Sequence, residues 1–275
     1  MSEQNLRLSI NQVTTRDQWD FAQAVNGYAR HGVMGTTVWF DKLRAHGVSA
    51  GAKLLRDTGM TTTGLCVGGL LSDLDHSTAR ARVEENKRLI DDAVVVGAPC
   101  LVLIGGGLEP GQRDVVGARQ RVLERVGELL PYASDAGVVL ALEPLHPMVC
   151  AFRSVLCTLG QANDWCDALG GGPNIGIAVD TYNVWWDPDI EAQLERAQGR
   201  IAAYHVADWL LETSDLRTDR GMPGDGVIDL PRLRKLAQSA GYTGFQEVEI
   251  LSTSWWARDP DEVVATIVER YAHTM

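Results

Sequence analysis

Four residues of chemically useful type fall at or near the ends of four successive strand-like runs. Glu143 follows 138–142, Asp180 closes 175–180, His205 lies in 201–206 and Glu249 lies in 245–250. Taken singly, each has an ordinary role: a strand-end charge in water, a helix N-cap, a satisfied core histidine, a charge at a ladder edge. Brought to one apolar pocket, three carboxylates would repel each other and resist ionising. A divalent cation resolves that conflict, with the imidazole as a neutral fourth ligand. Such a mostly oxygen-donor set suits Mn2+ or Mg2+ and tolerates Co2+ or Zn2+. Glu247, two residues before Glu249 and on the same strand face, is a competing acid. Spacing does not choose between them; Glu249 is preferred because it lies nearer the strand's C-terminal end.

Chemistry of this kind needs a fold that gathers strand ends. Strand-like runs fall at 6–10, 33–39, 61–67, 100–104, 138–142, 175–180, 201–206 and 245–250. Between and after them, helical spacing covers 19–30, 48–57, 79–96, 114–136, 154–169, 187–198, 230–240 and 260–272. The run at 138–142 is apolar throughout and stops at Glu143-Pro144, where proline has no N–H to continue the ladder. Strict alternation of strands and helices implies right-handed βαβ units and a parallel sheet. Eight such units with no linker predict one (β/α)8 barrel over residues 1–275, with its active site at the C-terminal strand ends. A doubly wound sheet would carry a GxGxxG turn after its first strand, and none is present. Gly105-Gly106-Gly107 lacks the lysine and spacing of a phosphate loop and reads as a turn.

Composition narrows the function further. The chain has 45% hydrophobic and 22% charged residues, ordinary for a protein with a large core, and a formal net charge of −11. That charge argues against a grip on nucleic acid, which needs a basic face. No apolar run is long enough to span a membrane, and residues 1–7 do not read as a signal peptide. Cys66, Cys100, Cys150, Cys157 and Cys166 are odd in number and form no CxxC pair, in keeping with buried thiols and a cytoplasmic setting.

The segments Glu143-Pro144-Leu145, Asp180-Thr181-Tyr182, His205-Val206-Ala207-Asp208, Met222-Pro223-Gly224-Asp225-Gly226 and Val248-Glu249 resemble the xylose isomerase-like sugar phosphate isomerase/epimerase superfamily. The resemblance covers nearly the whole chain. It implies one divalent ion, commonly Mn2+, held by Glu143, Asp180, His205 and Glu249. It also implies that Glu143 and Glu249 face opposite sides of the substrate carbon. One removes a proton α to a carbonyl, giving a metal-stabilised enediolate, and the other returns it. Arg220 matches a position that binds substrate oxygen, Asp208 belongs to the same motif set, and His146 is a candidate for proton transfer. One departure stands out: Asn183 occupies a place where much of the family has histidine, and an amide carries no proton between pH 5 and 8.

That departure admits other chemistry. Some relatives of the fold resemble C-glycoside deglycosidases, which break a C–C bond after the same enolisation and work with a small β-rich partner subunit. In that case His146 would serve as base, and the pairs Trp185-Trp186 and Trp255-Trp256 would wall the pocket. The same pairs could instead mark a homo-oligomer surface. A DNA-repair endonuclease shares the barrel but needs more metal ligands and a basic surface. A non-catalytic sugar-binding protein is the remaining alternative.

Overall fold

The computed structural model describes residues 7–274. Eight parallel strands, each hydrogen-bonded to the next, close into a barrel in which β1 (Leu8–Asn11) pairs with β8 (Gln246–Val248). The others are β2 (Gly35–Trp39), β3 (Thr61–Gly69), β4 (Cys100–Ile104), β5 (Val139–Leu142), β6 (Ile175–Asp180) and β7 (Ile201–Val206). Leu6, expected in the first strand, lies outside the described residues. The helices that wrap the barrel include α1 (Phe21–Arg30), α2 (Phe40–His46), α3 (Val48–Thr58), α4 (His76–Val96), α5 (Val115–Ala136) and α6 (Leu159–Ala168). After β6 come α7 (Thr181–Val184), α8 (Ile190–Arg196), α9 (Leu230–Ser239), α10 (Thr253–Trp256) and α11 (Pro260–Thr274).

The period-two rule of a strand explains how this barrel is filled. Outward-facing Leu140, Leu142, Ile175, Ile177, Val179 and Val206 meet the helices in the main core. The inward set is small: Cys100, Val102, Ala141, Ala178 and Ala203 form a separate cluster inside the barrel. Two residues beyond three of these, on the same inner face, stand Glu143, Asp180 and His205. The positions above the packed layer thus hold two acids and a histidine where the layer below holds alanines.

Several boundaries differ from the sequence expectation. The helix expected at 154–169 begins at Leu159, capped by Thr158. Residues ahead of it are held extended, because the Ser154 hydroxyl accepts from Gly105 N–H and donates to the Leu156 carbonyl. The helix expected at 187–198 begins only at Ile190. The helix α2, directly after β2, had no sequence counterpart. The triple glycine after β4, expected as a turn, instead prolongs the strand's path: Gly106, with a φ of +93°, forms an isolated parallel bridge with Ser154. A Cβ on Gly107 would come within 2.5 Å of the Phe152 backbone. Among the described residues, no helix is long and apolar enough to cross a membrane.

Candidate metal centre

Each proposed ligand arrives from a different strand end. Glu143 follows β5 and Asp180 ends β6. His205 is the penultimate residue of β7, and Glu249 comes directly after β8, its N–H still donating to the Val206 carbonyl at 3.0 Å. All four are buried, and one ligand atom from each lies within 4.8 Å of the others. Glu247 sits lower. It is level with His205 in the β7–β8 register, and it accepts hydrogen bonds from the Thr37 and Thr63 hydroxyls inside the barrel.

The donor set fits a divalent cation. His205 is fully buried, yet neither ring nitrogen has a hydrogen-bond partner. Carboxylate oxygens of Glu249 and Glu247 stand 3.6 Å from Nδ1 and Nε2, too far for hydrogen bonds. An orphaned imidazole facing three acids is costly as it stands, and coordination would satisfy the nitrogen turned toward Glu143 and Glu249. The electrostatics agree. Burial, with the Glu249 charge second, pushes Glu143 up to about 8. Burial alone would lower His205, but Glu249, Glu247 and Glu143 outweigh it and raise the imidazole to about 10. Asp180 is also raised by burial, against the pull of Arg220. Burial opposes ionisation of Glu249 too, but His205 and Arg220 prevail and hold it at about 2. The cluster retains protons that a cation would displace.

Neighbouring polar groups fix the ligands. Asp180 is also an N-cap: Oδ1 accepts from Tyr182 N–H at 3.0 Å, leaving Oδ2 to Asn183 Nδ2 at 2.7 Å and Arg220 Nη1 at 2.8 Å. The same Arg220 nitrogen reaches Glu249 Oε2 at 3.0 Å, and the guanidinium lies over the Tyr182 ring. Asn183 Nδ2 also reaches Glu143 Oε1 at 3.3 Å, while its Oδ1 accepts from His146 N–H. At this site Asn183 is a double donor to ligand carboxylates. Glu249 Oε1 accepts from Asn11 Nδ2 at 2.9 Å, and Trp39 Nε1 in turn donates to Asn11 Oδ1.

Above the ligands opens a cleft lined by Glu143, Glu249, Asn183, Arg220 and His146, with Trp39, Val67, Leu145 and Leu216 among its apolar walls. His146 is half-buried and lowered by that burial; its Nδ1 accepts from Met148 N–H and its ring stacks on Trp209 with centroids 4.8 Å apart. Two expected substrate contacts are not at this cleft. Asp208 is buried, with its carboxylate accepting from the N–H groups of Trp209, Gly224, Gly226 and Ile228, so it clamps the turn that bears Arg220. Trp185 lies beside Trp209 at 5.8 Å rather than in the cleft wall. The other paired tryptophans are engaged elsewhere: Trp186 Nε1 donates to the Asn183 carbonyl and Trp256 Nε1 to that of Val13, while Trp255 packs beneath Arg258. None of these four paired tryptophans lines the cleft, as the deglycosidase alternative would have had them do. Asn11, Trp39 and Trp209 had no place in the sequence reading, although Asn11 and Trp39 end β1 and β2 and so follow the same strand-end rule as the acids.

Fold and cluster define a (β/α)8 barrel with a candidate metal centre at the C-terminal ends of its strands. A family model described as xylose isomerase-like TIM barrel matches residues 28–270, and the chain belongs to that family. A crystal structure of protein SMc04130 from Sinorhizobium meliloti 1021 is 46% identical, with a TM-score of 0.96 over 98% of both chains. L-ribulose-5-phosphate 3-epimerase UlaE of Escherichia coli is 26% identical over 76% of this chain and 70% of its own. An inosose isomerase of Halalkalibacterium halodurans is 29% identical over 50% of this chain. The match spans about half that enzyme's length, 49%.

Proposed function

We propose that this protein is a divalent-metal-dependent sugar isomerase or epimerase that moves a proton at the carbon α to a carbonyl. The observation that carries this reading is the convergence of Glu143, Asp180, His205 and Glu249 on one point at the floor of the cleft. The inosose isomerase and the L-ribulose-5-phosphate 3-epimerase among its relatives support the reaction class. When bound, the ion, Mn2+ in this reading, supplies Lewis-acid polarisation of the sugar carbonyl.

The remaining work falls to side chains. Glu143 and Glu249 arrive from β5 and β8 and both line the cleft, so a sugar carbon above them meets a carboxylate on each side. One carboxylate takes the α proton; the C–H electron pair passes into the carbonyl as an enediolate, and the other carboxylate delivers a proton. Delivery to the same carbon from the opposite face inverts it, and delivery to its neighbour interconverts aldose and ketose. Arg220 bridges Asp180 and Glu249 and holds their spacing. Asn183 orients Glu143 and Asp180 without exchanging a proton itself.

Deuterium exchange at a sugar carbon in D2O, followed by NMR, tests the reading. Treatment with EDTA is expected to abolish exchange and Mn2+ to restore it. Exchange that survives chelation, in protein free of metal by elemental analysis, would overturn it.

A further inference from the structure

We propose that the cleft takes a sugar bearing an oxyanion, a phosphate ester or a carboxylate, and that Arg153 and Arg217 hold that group at the rim; this rests on the sugar reading above. Three arginines line the cleft. Arg220 is occupied by Asp180 and Glu249. The other two differ. No hydrogen bond or ion pair engages either the Arg153 or the Arg217 guanidinium among the described residues, whereas other arginines of the fold, such as Arg44, Arg125, Arg196 and Arg270, are tied to carboxylates or carbonyls.

Arg153 is only partly exposed, and holding an unpaired guanidinium out of water is unfavourable. It lies near enough to Arg217 that, after burial, the neighbour's charge is the next cause pushing it below the ordinary arginine range, only partly offset by the pull of Glu143 and Glu249 from the cleft floor. Two like charges from separate loops, after β5 and after β7, therefore converge on one rim. The planar fork of each matches the paired oxygens of a phosphate or carboxylate. Among the described residues, the acids lining the cleft are Glu143 and Glu249, both claimed by the candidate metal centre; Asp215, outside the lining, feels the Arg217 charge without pairing with it. Between floor and rim the walls are mostly apolar, with Leu145, Val149, Leu216 and Leu251. A ligand that bridges them has its enolisable carbon at one end and its charge at the other. On a chain of net charge −11, a cationic rim also gives an anionic substrate a favoured approach.

The test uses Mn2+-loaded full-length protein and two matched pairs of probes: D-ribulose 5-phosphate with D-ribulose, and D-fructuronate with D-fructose. Calorimetry is expected to show one charged member binding about tenfold or more tighter than its neutral twin. The pair showing the preference identifies phosphate or carboxylate. In the Arg153→Ala/Arg217→Ala variant the charged sugar is expected to fall to its twin's affinity, with Mn2+ affinity unchanged. Equal binding within both pairs, or a preference that survives both substitutions, would overturn the proposal. Deuterium exchange on the same probes separates it from the parent reading. Exchange without charge preference sinks only the anion site; charge preference without exchange on any probe sinks only the isomerase reading.

Discussion

At the residue scale, Glu247 and Glu249 show how two acids on one strand face divide their roles. Glu247 meets His205 Nε2 from below, while Glu249 meets Nδ1 from the cleft side. Were Nδ1 to bind a cation, Nε2 would keep its proton, and a small approach by the Glu247 carboxylate, 3.6 Å away, would let it set the tautomer and aim of the ring. Glu247→Gln is therefore expected to weaken Mn2+ binding about 10- to 100-fold by calorimetry while the circular dichroism spectrum stays native. Unchanged affinity would confine Glu247 to the interior hydroxyl network. Glu143→Gln keeps the size of the side chain and its contact with Asn183 but removes the proton acceptor. Exchange at the sugar carbon should fall roughly 10²- to 10⁴-fold, the usual contribution of a positioned acid or base. A smaller loss in NMR exchange rates would assign the abstraction elsewhere.

At the element scale, the inner-face pattern is simple: Ala141 precedes Glu143, Ala178 precedes Asp180 and Ala203 precedes His205, each by one strand period. The β-strands that carry it were legible in the sequence as short apolar runs closed by charge or proline, but their inner face was not, because a run that is apolar throughout does not mark which side meets the barrel interior. The stagger between strands was not legible. Position along strand eight favoured Glu249 for the mouth, but only the register His205↔Glu247 shows which neighbour the deeper acid stands level with. The role of Asp208 was hidden for a similar reason, since its partners, Gly224, Gly226 and Ile228, are remote in sequence. This clamp supports a prediction at its own scale. Asp208→Asn turns one acceptor into a donor facing backbone N–H groups, with an expected loss of about 1–3 kcal/mol in denaturant unfolding. Faster amide exchange should appear over residues 220–228, the stretch that presents Arg220. Exchange confined to other loops would count against the clamp.

On the scale of the whole molecule, the protons held by the mouth make stability depend on pH in a definite direction. Glu143 is raised to about 8, so the metal-free protein is favoured below the ordinary carboxylate range and loses that advantage as pH climbs through 8. His205, raised to about 10, acts in the same sense: its contribution is complete below about 6.5 and fades as pH rises through 10. Glu249, held at about 2, contributes above the ordinary carboxylate value and is lost only on acidification. Metal-free protein should thus melt at a lower temperature at pH 8.5 than at pH 6. Mn2+ displaces the same protons, so the rise in melting temperature it causes should be larger at pH 8.5. A metal-induced shift that shrinks with rising pH would contradict this account. The division of the barrel has one more consequence. All four candidate ligands come from strands five to eight, whereas strands one to four supply Trp39, Cys66, Val67 and Ile104 to the cleft wall and only Asn11 to the ligand cage. The second half thus brings both the candidate ligands and most of the cleft wall, Leu145, His146, Arg153, Leu216 and Arg217 included. A chimera that keeps the second half and Asn11 but borrows the first half of a sister barrel is therefore expected to inherit metal affinity and substrate preference together, as one transferable block.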